Sequence, residues 1–121
     1  MEINVKNQSG FVAFVLSGAL CAEELIKHIN EYYAGHNVSR VLLDLSGCEL
    51  HATTPDQFPD IAMAVRENLK YRGAEARSAL YVPRRSDKLL ISVFAARMEV
   101  VSELPVRVFE DRDKAIAWLL S

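Results

Sequence analysis

Short apolar runs alternate along this chain with longer segments whose apolar residues recur at helical spacing. That alternation limits the fold more than any other feature. Val41-Leu42-Leu43-Asp44-Leu45 is a compact apolar run ending in Ser46-Gly47. Such a run, without polar alternation, fits a strand covered on both faces, as parallel strands are. Ser78 to Val82 is the next strand, stopped by Pro83, and Val106-Arg107-Val108-Phe109 is the last. Between them Phe58, Ile61, Ala62, Val65 and Leu69 share one helical face, and Gly73 ends that helix. A third helix is expected from about Asp87 to Glu103, with Ser86 as its N-cap and Pro105 after it.

The ends of the chain complete the pattern. Ile3-Asn4-Val5-Lys6 alternates as a half-buried strand does, Asn7-Gln8-Ser9-Gly10 is turn chemistry, and Phe11 to Leu16 is apolar throughout. These segments read as an antiparallel hairpin. The first helix spans Ala22 to Ala34, with Ala22, Leu25, Ile29 and Tyr32 or Tyr33 on one face and Gly35 as a stop. Cys21 stands where an oxygen-bearing cap is usual, so that start is weakly capped. Asp111 caps a short final helix through Leu120. The order is β-β-α-β-α-β-α-β-α, which implies a mixed, mostly parallel five-stranded sheet with right-handed crossovers.

Size and charge narrow the function classes. At 121 residues the chain reads as one domain spanning 1–121, able to bury a core without metal or disulfide staples. A formal charge of −2 argues against nucleic acid as a bulk electrostatic partner. No run approaches the ~20 apolar residues of a membrane span, and the first residues lack a secretory pattern. Two cysteines, Cys21 and Cys48, fit a reducing cytoplasm better than a disulfide scaffold. The histidines and cysteines lack the spacing of a closed zinc site, and no phosphate-cradling glycine motif is present. Neither a metal nor a cofactor is expected.

One segment draws attention as a candidate contact loop: Gly47-Cys48-Glu49-Leu50-His51-Ala52-Thr53-Thr54-Pro55-Asp56-Gln57. It follows the carboxyl end of a parallel strand, where such sheets place their sites. Thr54 with Pro55 and Gln57 forms a capping-box pattern, although Pro59 would clash inside a helix begun there. Either the helix opens with a distorted turn or it begins nearer Pro59. The functional alternative is a regulatory hydroxyl at Thr53 or Thr54, where a phosphate would add about two negative charges beside a helix N-terminus. Cys48 and His51 are three residues apart and offer a thiol–imidazole pair, but no third group or oxyanion loop accompanies them. No catalytic residue is assigned. Arg84-Arg85 is either an anion grip at the third helix or a solvated pair.

The third helix carries apolar residues on two stripes. Leu89, Leu90, Val93, Phe94, Val100, Val101 and Leu104 form a broad face, and Ile91, Ala95 and Met98 a second. The second stripe is expected either to pack between sheet and helix, or to line an apolar pocket or subunit interface with Phe94. A homodimer burying this helix or an uncovered sheet face is a further expectation.

Several stretches resemble one known group. They are Val41-Leu42-Leu43-Asp44-Leu45-Ser46-Gly47, Ala79-Leu80-Tyr81-Val82-Pro83, and the ending from Val106 to Leu119 with its Ala115-Ile116-Ala117-Trp118-Leu119. The chain resembles the SpoIIAA-like proteins, small bacterial relatives of the STAS fold that share architecture with lipid-binding CRAL-TRIO (Sec14) domains. The resemblance implies that fold over nearly the whole chain. It also implies a non-enzymatic regulatory or protein-interaction role, with a binder of a small apolar or lipid-like ligand as the alternative. In anti-sigma-factor antagonists of this fold, the loop after the corresponding strand carries Asp-Ser-Ser-Gly, whose second serine is phosphorylated by a partner kinase. Counting from Asp44, that serine falls on Thr54, the acidic residue becomes Ala52 and the glycine becomes Pro55. A hydroxyl is kept; the kinase partner is not carried over.

Overall fold

The computed structural model describes residues 1–51 and 53–121. Five strands form one sheet in the order β1-β2-β3-β4-β5: β1 Glu2–Gln8, β2 Phe11–Ala19, β3 Arg40–Glu49, β4 Arg77–Tyr81 and β5 Val106–Phe109. β1 runs antiparallel to β2, and every later neighbour is parallel. Four helices complete the fold: α1 Ala22–Tyr33, α2 Phe58–Glu67, α3 Arg85–Ser102 and α4 Arg112–Leu120. This is the element order expected from the alternation. The hairpin strands are longer than their apolar stretches, because backbone pairing continues from Glu2↔Ser17 to Gln8↔Phe11. Gly10 makes the tight turn with φ +88°, and a Cβ there would meet Leu120 at 2.8 Å.

The topology dictates where the helices lie. From β2 to β5 each strand steps to the next position in the same direction. Right-handed crossovers that always advance one way all fall on one face. α1, α2 and α3 therefore share a side and enclose the larger core, built on Phe14, Leu16, Leu45, Phe58, Ile61, Leu80 and Phe94. After β5 the chain turns to the opposite face, where α4 sets Ala115 and Leu119 against Phe11, Ala13, Leu42 and Ala79. The alanines on the strands let that helix approach closely. α4 thus covers the second sheet face over β3, β4 and β5.

α4 is capped as expected. Asp111 accepts a hydrogen bond from the Lys114 N–H at 3.1 Å. Asp111→Ala should lower stability by about 1 kcal/mol in denaturant unfolding. An unchanged midpoint would mean that packing alone holds the helix. Trp118 lies half-buried beside Phe109, with the Arg77 and Arg107 guanidinium groups over its ring at 5.3 and 5.7 Å. The aromatic near the end of the chain thus closes the edge of the smaller core.

α3 differs from expectation in its start and in its faces. It begins at Arg85 with Arg84 at the cap position, so Ser86 lies inside the helix and does not cap it. Ile91, Phe94, Ala95 and Met98 are buried together with Ser102. Their spacing of three, one and three residues traces one continuous inward stripe. Of the broad face, only Phe94 and Leu104 are buried; Leu90 and Val101 are half-buried. Leu89 and Val100 stand 78% and 79% exposed, and Val93 is exposed as well. The inward stripe wins because it also presents the large Phe94 ring to Phe58, with centroids 4.8 Å apart.

Candidate functional site

The candidate segment begins inside β3, not after it. Val15 of β2 faces Asp44, but Ser17 faces Gly47, so β3 carries one extra residue. Asp44 explains the bulge locally. Its carboxylate accepts the Ser46 N–H at 2.9 Å and the Ser46 hydroxyl at 2.6 Å. Arg112 lies 3.9 Å from its other oxygen. The extra residue changes which side chains point inward: Leu45, then Cys48, then Leu50. Gly47 lets the strands approach closely, since a Cβ there would meet the Leu16 carbonyl at 3.1 Å and Ser17 Cβ at 3.3 Å.

Gly47 and Cys48 are therefore strand residues, paired with Ser17 and Gly18. This corrects their placement on a loop. Cys48 is 1% exposed while His51 is exposed, so the two are not presented together to solvent. Burial pushes the Cys48 thiol up to about 11, with Arg84 acting against the rise and Asp44 adding to it. Against the ordinary value of 9.0, that lowers the thiolate fraction at neutral pH about a hundredfold. Cys48 in the folded protein should react with a disulfide reagent at least that much more slowly than in urea. Equal rates would show that the thiol is open.

The exposed segment starts at His51. The Thr53 N–H donates to the Leu50 carbonyl at 3.0 Å, and Thr53 is buried. Ala52 lies outside the described residues. Thr54 is exposed and its hydroxyl donates to the Asp56 carboxylate. Pro55–Gln57 forms a single 3-10 turn, and α2 restarts at Phe58 with Pro59 in its first turn. There the missing proline N–H would have had no helical partner anyway. The expected capping box does not form: neither Thr54 nor Gln57 makes a side-chain cap bond, and Gln57 Oε1 is buried with no partner among the described residues. Of the two threonines, Thr54 is exposed and Thr53 is buried.

The arginines beside this segment are engaged. Arg84 donates to the Cys48 carbonyl and to Asp87 at 2.7 Å, tying β3 to the start of α3. Arg85 and Lys88 lie 3.5 and 3.6 Å from Glu110. Among the described residues, no group of three or more His, Cys, Asp or Glu side chains is placed to hold a metal.

A second feature lies under the three helices, toward the amino ends of β3 and β4. A cavity of about 50 Å³ is lined by Phe14, His28, Tyr33, Arg72, Phe94 and Met98 among others. Of the four residues anticipated for an apolar pocket or interface, Phe94 and Met98 reach this cavity. Ile91 and Phe94 reach a smaller one of about 10 Å³. Ala95 lines neither, and none of the four is on an outer surface.

Two polar groups in the cavity wall were not anticipated. Arg72 is buried and donates to the carbonyls of Val38, Ser39 and Arg77 and to the Ser78 hydroxyl, at 2.8 to 3.1 Å. The Tyr33 ring lies 5.8 Å from its guanidinium carbon. No carboxylate pairs with it among the described residues. His28 has its Nε2 buried with no partner among the described residues, and burial lowers its pKa from 6.5 despite nearby Glu31. The unfolded chain then binds a proton that the folded chain refuses. Stability should fall as pH drops through 6.5, and His28→Leu should flatten that slope in denaturation series. An unchanged slope would assign it elsewhere.

No family model matches this chain, and no curated protein matches it. Solved structures do. The anti-sigma factor antagonist SpoIIAA in its unphosphorylated form superposes with a TM-score of 0.58 at 11% identity, over 99% of each chain. An anti-sigma factor antagonist from Mycobacterium paratuberculosis superposes with a TM-score of 0.62 at 14% identity, over 99% of this chain and 94% of that one. Among the described residues, no helix is long and apolar enough to cross a membrane. The agreement spans the whole sheet and its helices, so this chain has the fold of the SpoIIAA anti-sigma factor antagonists.

Proposed function

We propose that this chain is a non-enzymatic, cytoplasmic regulatory domain that acts by binding another protein. The observation that carries this reading is the end-to-end likeness to two anti-sigma factor antagonists. The contact surface is formed by the exposed residues His51, Thr54, Pro55 and Asp56 at the carboxyl end of β3. Thr54 is its regulatory hydroxyl, because Thr53 is buried. A phosphate on Thr54 would stand beside Asp56, whose carboxylate now accepts the Thr54 hydroxyl. The phosphoester has no hydroxyl proton left to donate, so that bond is lost, and repulsion between the two anions would open the turn that leads into α2. The unactivated Cys48 thiol gives an enzymatic reading little support. A photo-crosslinking residue placed at His51 should capture a partner protein that the same residue at Leu120 does not. Equal capture at both positions, or none, would contradict the assignment.

The cavity favours a second reading, binding of a small apolar ligand, since Phe94 and Met98 line it as expected. A homodimer is the third. Its surface would be the outer side of α3, where Leu89, Val93 and Val100 are exposed. Sedimentation showing one monomeric species across concentrations would remove it.

A further inference from the structure

We propose that α3 pairs antiparallel with α3 of a second copy of this chain, along a seam of Leu89, Val93, Ala96 and Val100. This rests on the homodimer reading above and adds the direction and register of the pair. The four residues are spaced four, three and four apart, which is the spacing of a coiled-coil seam. At about 100° per residue they fall within an arc of about 60° on the helix surface. The buried stripe of Ile91, Phe94, Ala95 and Met98 lies on the other side of the helix. All four seam residues are exposed, Leu89 and Val100 most of all. Single apolar residues scattered on a surface need no cause. An outward row at seam spacing along an 18-residue helix matches the face of another helix.

Charge decides which helix that is. Arg85 and Lys88 stand at the start of α3 and share one carboxylate, Glu110, at 3.5 and 3.6 Å. Two cations against one anion leave that end positive. Glu99 stands in the last turn and Glu103 directly after it, both exposed and neither in an ion pair among the described residues. By helical spacing Lys88 and Glu99 lie on the same flank of the seam, and Arg97 on the other. In an antiparallel pair each flank meets the same flank of the partner in reverse. The basic start of each α3 then lies beside the acidic end of its partner, and the helix dipoles oppose favourably. Leu89 stands opposite the partner's Val100, and Val93 opposite the partner's Ala96. Each contact repeats under a two-fold axis, as a closed dimer requires. A parallel pair would instead bring basic end to basic end and acidic end to acidic end. A lipid surface would need cations along the whole row, and the acidic end opposes it.

One helix face per copy is small beside the roughly 1,200 Å² of a standard interface, so the pair is weak and reversible. The test is sedimentation equilibrium of the intact chain up to about 1 mM, joined to disulfide trapping in a Cys21→Ser background. That background leaves only the buried Cys48. Wild type should show a reversible dimer. Leu89→Lys, at a residue 78% exposed, should weaken it at least tenfold while unfolding at the same urea midpoint. A mixture of Leu89→Cys and Val100→Cys chains should cross-link at least tenfold faster than either alone. If a dimer forms but Leu89→Cys alone cross-links as fast as the mixture, the antiparallel register falls and the homodimer reading survives. A dimer that Leu89→Lys leaves intact uses another surface and overturns the proposal. A monomer at every concentration removes both.

Discussion

Phe58→Ala lowers folding stability by about 3–5 kcal/mol, the range for an aromatic ring removed from a tight core. Phe58 is the first residue of α2 and is almost fully buried. Its ring lies against Phe94 of α3, and it sits directly after the 3-10 turn of Pro55–Gln57. No cap bond secures the start of α2, so this ring is what pins it. The variant should lose stability in urea unfolding and also loosen the exposed stretch before it. Amide exchange at Gln57 should then quicken by more than the global loss predicts. A cost below about 1 kcal/mol would show that neighbouring side chains collapse into the space.

Arg72→Met has the second large effect, about 3 kcal/mol or more. It removes the donors serving three carbonyls and one hydroxyl at the amino ends of β3 and β4. A buried acceptor left unsatisfied costs about 1–3 kcal/mol, and the four losses will not add fully. Arg72→Lys should recover only a small part. A single ammonium cannot reproduce the planar fork that reaches Val38 through Nε and Ser39, Arg77 and Ser78 through Nη2. Full rescue by lysine in denaturant unfolding would reduce the role of Arg72 to charge alone.

The order of elements was legible because each apolar run and each helical period has a local cause. The covering of the second sheet face was less so. Whether α4 returns across Ala13 and Ala79 depends on topology, not on the composition of α4. The apolar run that marks β3 in the sequence ends in Ser46-Gly47. In the structure Asp44 uses Ser46 to build a bulge, and pairing resumes through Glu49. The capping-box pattern at Thr54 yielded to Pro59, which can only stand in a helix that starts later. On α3 a count of apolar residues does not tell the inward face from the outer one. Leu89 and Val100 weigh as much as Ile91 and Met98 in such a count, yet only the latter pair faces the sheet. Arg72 carried no signal at all, since its partners at Val38 and Ser39 lie more than thirty positions away.

The exposed turn at Thr54 and the cavity at Arg72 lie toward opposite ends of the parallel strands. A partner bound at one need not obstruct a ligand at the other. Protein binding through the Thr54 turn is the central claim, and affinity capture with wild type and Thr54→Asp, from cells that make this protein, tests it most directly. The account predicts at least one partner held by one form and lost from the other, with both proteins equally folded. Identical partners on both forms, or no partner on either, would contradict it.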